Sequence, residues 1–205
     1  MGRDAVLTKI LDILLRGVNA GLHRSPTPTY GNRAKNASYR PIASRLCYAD
    51  STLSRDIPEP DLDGSALRIA VIVARFNEHI TSRLLKGALK AAERYGVKEQ
   101  AVYWVPGSFE LPVVAQKLAK SGHFDAVVCL GCVVRHETDH HRYVAGEAAS
   151  GIQRASLDTG VPCIFGVLTC DTDEQALERS GGERGNKGAD AMQTAVETAN
   201  LLRSL

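Results

Sequence analysis

The chain has 205 residues, 44% of them hydrophobic and 23% charged, a balance that excludes wholesale disorder and collagen-like fibres and fits one domain with an appendage. A formal charge of +2 excludes a whole-protein field able to gather nucleic acid or anionic membrane, and the longest apolar run, Ala126 to Val134, is far short of the ~20 residues that span a bilayer. Five cysteines, an odd number, fit free thiols in a reducing compartment better than a disulfide scaffold.

The small net charge hides an asymmetry. Residues 1–60 hold 9 basic and 5 acidic side chains, whereas residues 61–205 carry a net of −2. Ala5 to Val18 has the spacing of a short amphipathic helix, with Val6, Leu7, Ile10, Ile13 and Leu14 on one side. From Gly21 to Gly64 the periodicity disappears among prolines and Ser, Thr, Arg and Asn. Residues 1–64 therefore read as a poorly ordered basic extension. Two other readings stay open: an organelle transit peptide, weakened by Asp4 and Asp12, and a segment that binds a partner through its charge. Without a transit peptide the expected location is cytoplasmic; no apolar core of secretory type precedes a small-residue cleavage site.

From Leu67 the pattern changes. Leu67 to Ala74, Ala101 to Val105, Ala126 to Val134 and Cys163 to Leu168 are short apolar runs rich in β-branched residues, and they predict strands. Helices are predicted at Ile80 to Tyr95, Leu111 to Lys120, His141 to Asp158, Asp173 to Ser180 and Asn186 to Leu202. This alternation predicts an α/β domain over residues 65–205: a three-layer αβα sandwich around a four-stranded parallel sheet, with strands buried on both faces. Ligands in such sheets bind beyond the carboxyl ends of the strands, which directs attention to Arg75 to Asn77, Pro106 to Glu110, Arg135 to His141 and Thr169 to Thr172.

Each motif in those segments has a functional and a plain reading. His136-Glu137-Thr138-Asp139-His140 matches the zinc-hydrolase pattern H-E-x-x-H, but it directly follows a buried strand and so starts a loop, where the two histidines do not share a helical face. Cys129 and Cys132 match C-x-x-C, yet within a strand residues three apart point to opposite faces, which describes inert core thiols. The run Gly181 to Gly188 lacks the G-K-[ST] ending of a phosphate loop and reads as a glycine-rich turn between two helices, with Lys187 as a cation for a substrate anion. Glu110 is either a first-turn acid favoured by the helix dipole or an acceptor for substrate hydroxyls. Phe76, Phe109 and Phe165 are core or faces for a planar ligand. His140 is the candidate acid–base group, and Arg179 either complements its helix's dipole or clamps a phosphate.

Taken in order, A-R-F-N (74–77), V-P-G-S-F-E-L-P (105–112), G-C-V-V-R-x-E-T-x-H-x-x-Y-V (131–144), G-V-L-T (166–169), E-Q-A-L-E-R (174–179) and G-N-K-G (185–188) resemble the lumazine synthase family of riboflavin biosynthesis. The resemblance runs from about Leu67 to Leu205. It implies a flavodoxin-like sheet and condensation of 5-amino-6-(D-ribitylamino)uracil with 3,4-dihydroxy-2-butanone 4-phosphate, without metal or redox cofactor. Carried over by position, it implies that Phe76 stacks on the pyrimidine and that Ser108, Phe109 and Glu110 hold the ribityl chain and ring edge. Cys132, Val133 and Val134 would line the pocket, Glu137, Thr138 and Arg179 would bind phosphate, and His140 would move protons. Phe165 and Lys187, which would also contact the ribitylaminouracil, and Arg179 would come from a neighbouring subunit. The resemblance also implies a pentamer, or twelve pentamers in a shell of sixty, and admits riboflavin synthase as a partner. His136 stands where the family has Gly, which leaves open an altered phosphate loop and, as the alternative, a non-catalytic flavin- or lumazine-binding or shell-forming scaffold.

Overall fold

A computed structural model describes residues 59–135 and 137–205. Residues 1–58, and with them the expected helix at 5–18, lie outside the described residues, as does His136.

Four parallel strands make the central sheet: β1 (Arg68–Ala74), β2 (Glu99–Val105), β3 (Ala126–Val134) and β4 (Cys163–Cys170), in the order β2-β1-β3-β4. The helices between and after them are α1 (Glu78–Arg94), α2 (Leu111–Ala119), α3 (His140–Thr159), α4 (Asp173–Arg179) and α5 (Lys187–Ser204). Alternate residues of each strand point to opposite faces, so the runs divide cleanly. Ile69, Val71 and Val73, with Val128 and Leu130, pack under α1 and α5. Ala70, Ile72 and Ala74, with Val127 and Cys129, pack under α2 and α3. All nine residues of β3 are buried, as a strand covered on both sides requires.

The expected three-layer α/β architecture is therefore the observed one. Two local expectations are corrected. The strand at 99–105 is not buried on both faces: Val102, Tyr103 and Trp104 are each 38–39% exposed, because β2 is an edge strand with a neighbour on one side only. The glycine-rich turn between the last two helices is a small antiparallel ribbon, β5 (Ser180–Gly182) with β6 (Gly185–Asn186). Gly181 at φ 118° and Gly185 at φ 77° supply backbone conformations that side-chain-bearing residues rarely adopt, so the chain reverses over two residues instead of wandering.

Two close approaches bring α5 onto α1. A Cβ at Gly188 would run into the Leu84 carbonyl, and one at Gly87 into the Asn186 side chain. At the far end of α5, Asn200 donates to the carbonyls of Asp61 and Asp63 at 3.2 and 2.9 Å, and Arg203 donates to that of Ala66. Residues 61–64, which the sequence groups with the extension, are thus hydrogen-bonded to the last helix, and Gly64 N–H donates to the Tyr95 carbonyl at 2.7 Å.

Asp125 closes this end of the domain. Its carboxylate accepts from the Arg68 backbone N–H at 2.8 Å and pairs with Arg203 at 2.9 Å. Burial pushes this carboxyl up, but the Arg68 N–H and the Arg203 guanidinium outweigh it and hold it below the ordinary carboxylate range. A carboxyl depressed in the folded state adds stability above its unfolded pKa near ~4, and loses that contribution as pH falls through the folded value. Asp125→Asn is expected to cost about 1.5–3 kcal/mol at pH 7, the scale of hydrogen bonds to a charged group. Urea titrations at pH 7 and pH 3 check this: the gap between variant and parent should close on acidification.

Candidate active site

β3 pairs with β1 only as far as Leu130, but with β4 through Val134. Beyond Leu130 the side of β3 that β1 has left is open, and a hollow of about 290 Å³ lies there, at the carboxyl ends of β1, β2 and β3. Phe76, Ser108, Phe109, Glu110, Cys132, Val133, Val134 and His140 all line it. Eight residues singled out in the sequence, from four segments, share one concavity. Pro106, Gly107 and Val144 complete the wall.

The aromatic rings are presented rather than buried: Phe76 is 63% and Phe109 56% exposed, although both belong to the most apolar side-chain class. Phe76 is held by its backbone, whose N–H donates to the Pro106 carbonyl at 3.0 Å and so continues the β1–β2 ladder. The next residue, Asn77, enters α1 at φ 60°, and among the described residues it alone has a positive φ without being glycine. Its side-chain amide donates to the Cys132 carbonyl at 3.0 Å, an acceptor that has no β1 partner. This residue is absent from the sequence-based site. Asn is among the few side chains that tolerate this conformation, and its position directly after Phe76 was the available signal.

Ser108, Phe109 and Glu110 form a single 3₁₀ turn before α2. One Glu110 oxygen accepts from the Gly107 N–H at 2.9 Å, which fixes the carboxylate over the turn and leaves its other oxygen for a ligand. Ser108 is buried against β3, and Gly131 makes that possible, since a Cβ there would meet both the Ser108 hydroxyl and its Cβ. The Cys132 thiol is neutral: burial first, then the neighbouring Cys170 and Asp173, push it up to about 12. Cys129 is buried in the opposite layer, so the C-x-x-C pair is divided between two cores as the strand reading expected.

His140 is the first residue of α3 and is exposed at the rim. Its Nδ1 is paired with the Thr138 hydroxyl, while the next residue, His141, is largely buried with its Nδ1 3.2 Å from the Thr138 carbonyl. Glu137 and Thr138 lie in the connection between β3 and α3 and are exposed, outside the lining of the hollow. Because α3 begins only at His140, Glu137 precedes the helix, and the H-E-x-x-H pattern lacks the helical geometry of a zinc hydrolase. Among the described residues no three His, Cys, Asp or Glu side chains cluster as metal ligands.

Phe165, Arg179 and Lys187 are elsewhere. They line a second, larger concavity of about 860 Å³ on the free side of β4, with Thr169, Cys170 and Asp190. The two concavities share no lining residue. Arg179 is half-buried and donates from Nη1 to the Gln175 carbonyl at 3.0 Å, while Lys187 pairs with Asp190 at 2.7 Å. Arg179 thus both closes its own helix, as the plain reading held, and keeps guanidinium N–H groups available for an anion.

The contact between Gly131 and Ser108 can be tested alone. Gly131→Ala is expected to cost about 1–3 kcal/mol by overpacking and to displace the Ser108 hydroxyl from the hollow. Denaturant midpoints, with ligand titrations of the surviving fold, measure both effects.

With this geometry in hand, comparison with known proteins is specific. The sequence profile described as 6,7-dimethyl-8-ribityllumazine synthase matches residues 66–203, the whole of the sheet and its helices. An Arabidopsis thaliana protein, named as the chloroplastic 6,7-dimethyl-8-ribityllumazine synthase, is 51% identical over 159 residues, covering 77% of this chain and 70% of that protein. The matched region carries both concavities, and the chain belongs to the 6,7-dimethyl-8-ribityllumazine synthase family.

Proposed function

We propose that the protein condenses 5-amino-6-(D-ribitylamino)uracil with 3,4-dihydroxy-2-butanone 4-phosphate to 6,7-dimethyl-8-ribityllumazine, releasing phosphate and water. It is a transferase of riboflavin biosynthesis. The observation that carries the reading is the convergence of eight expected residues on one hollow at the strand ends.

The chemistry asks little of the protein. The uracil brings its own nucleophile, an amine that attacks the ketone; loss of water gives an imine, phosphate leaves by elimination to an enol that becomes a ketone, and attack of the ribityl-bearing nitrogen on that ketone, with loss of a second water, closes the ring. Phe76 offers an exposed face for the pyrimidine, and the Cys132–Val134 wall is uncharged. Glu110, already anchored by Gly107, accepts from ribityl hydroxyls beside Ser108. Glu137, Thr138 and Arg179 take the phosphate. His140, with Nδ1 engaged by Thr138, presents Nε2 to move protons between amine, carbonyl and leaving groups. Orientation of two reactants is worth roughly 7–11 kcal/mol, and a positioned acid–base group about 10²–10⁴-fold.

Phe165, Arg179 and Lys187 do not line the hollow of their own chain, which supports a site completed by a neighbouring copy. A ring of five subunits sets the β4 side of one subunit against the hollow of the next, and the compact Arg179-to-Lys187 connection suits closure of twelve such rings into a shell of sixty. Residues 1–60 are an extension outside this catalytic unit, whereas residues 61–64 are tied to it. The relative's chloroplastic designation, together with six basic and no acidic residues between 13 and 49, favours the transit-peptide reading of that segment.

Mixing the two substrates with purified protein and following lumazine fluorescence tests the activity, which is expected to ignore a chelator because the nucleophile belongs to the substrate. His140→Ala is expected to slow turnover by about 10²-fold or more and leave a residue above the spontaneous rate, since orientation survives. Arg179→Ala should come close to abolishing it. Steady-state kinetics decide, and equal, trivial effects of both changes would overturn these roles.

A further inference from the structure

We propose that Asn186 is a positioning residue for the substrate phosphate: without touching substrate, it sets where Arg179 stands. This rests on the reading of Arg179, in the β4-side concavity, as a phosphate-binding residue.

Arg179 is the last residue of α4 and Lys187 the first of α5, and the ribbon between them reverses the chain. The ribbon pairs Ser180 with Asn186, Arg83 Nε lies 3.5 Å from the Ser180 carbonyl, and one further side chain ties both helix ends together. Asn186 Oδ1 accepts from the N–H groups of Gly188 at 2.9 Å and Ala189 at 3.2 Å, which caps α5 and defines Lys187 as its first residue. Asn186 Nδ2 donates to the carbonyl of Ser180, the residue next to Arg179, at 3.0 Å, and to that of Arg83 in α1 at 2.9 Å. A side-chain amide has two donor hydrogens and two acceptor positions, and all four are used.

The surroundings are cut to fit it. Gly87 leaves the room that the Asn186 amide occupies, and Gly188 lets the capped end of α5 sit against the Leu84 carbonyl. Arg179 is in turn tied to its own helix through the Gln175 carbonyl, so its guanidinium follows the backbone at 179–180. A shift of the Ser180 carbonyl is passed directly to the phosphate-binding group.

Aspartate would cap α5 as well as asparagine does, but it has no donor and would set a carboxylate against two carbonyl oxygens. Serine also caps, and it removes the donors without adding repulsion. The experiment therefore compares Asn186→Asp and Asn186→Ser with the parent in the full-length, assembled protein. Inorganic phosphate affinity is measured by calorimetry, and both KM values by steady-state kinetics. Loss of one positioning hydrogen bond should weaken phosphate binding and raise KM for the butanone phosphate by about tenfold in each variant. KM for the ribitylaminouracil and the light-scattering mass should stay unchanged. Unchanged phosphate affinity in both variants overturns the proposal, and so does a parallel rise of both KM values with loss of assembly, which marks a purely structural role. Arg179→Ala in the same calorimeter separates the layers. If it leaves phosphate affinity intact, the reading of Arg179 fails and the proposal with it; if it weakens phosphate while the Asn186 variants do not, the role of Asn186 alone is refuted.

Discussion

The register of β3 against its two neighbours is the constraint on which the hollow depends. β1 leaves the ladder at Leu130 and β4 stays to Val134, so the last residues of β3 have a strand on one side and open space on the other. An unpaired carbonyl near a dry core costs free energy comparable to a lost hydrogen bond. The Asn77 amide satisfies the Cys132 carbonyl, and in doing so it anchors the segment that carries Phe76. Backbone accounting and ligand geometry are thus solved by one contact: the side chain that replaces the missing strand also fixes the aromatic face.

The same economy runs through the other walls. Glu110 closes its own turn through Gly107 before it meets any ligand, so its carboxylate is oriented in advance. Ser108 is pressed into place by the close approach that Gly131 permits. Preorganisation of this kind matters most for a reaction whose nucleophile comes with the substrate, because the protein's main contribution is then to hold two molecules in register. The neutral Cys132 thiol fits that division of labour. Burial keeps it protonated far above physiological pH, and it contributes surface rather than nucleophilicity.

What could be read in the sequence follows from what is local. The apolar runs marked four strands because burial on both faces forces nearly continuous hydrophobicity; β3 obeys this to the residue, and β1 does so after Arg68. β2 carries a similar run, Ala101 to Val105, and yet is largely exposed, because position at a sheet edge is a property of the assembled order β2-β1-β3-β4 and leaves no mark on the strand itself. The residues that line the hollow at the strand ends were legible through the rule that places ligands there and through the ordered motifs. Asn77 and Gly131 were not, since both act through the offset between β1 and β3 and through a contact between Gly131 and Ser108, which are long-range facts. The ribbon at Ser180 to Asn186 was read as a turn for a related reason: two residues of pairing depend on the glycine conformations at 181 and 185 more than on any periodicity.

The separation of the two concavities is what makes the proposed activity depend on assembly. A chain that kept all thirteen expected residues in one pocket would need no neighbour. Here the aromatic hollow and the Arg179–Lys187 cluster lie on different sides of the sheet end and share no lining residue, so on the proposed reading each site draws its ligand contacts from two copies. The reaction needs both reactants close together, which links catalysis to whatever fixes the position of one subunit against the next. Exposed apolar side chains at the two sheet edges, Trp104 on β2 and Phe165 on β4, are the surfaces such an arrangement would cover. In the proposed ring, burying them would stabilise the assembly, and the same contact would bring Arg179 and Lys187 to the neighbouring hollow. On that reading the hydrophobic term that favours the oligomer would also be the term that completes the site.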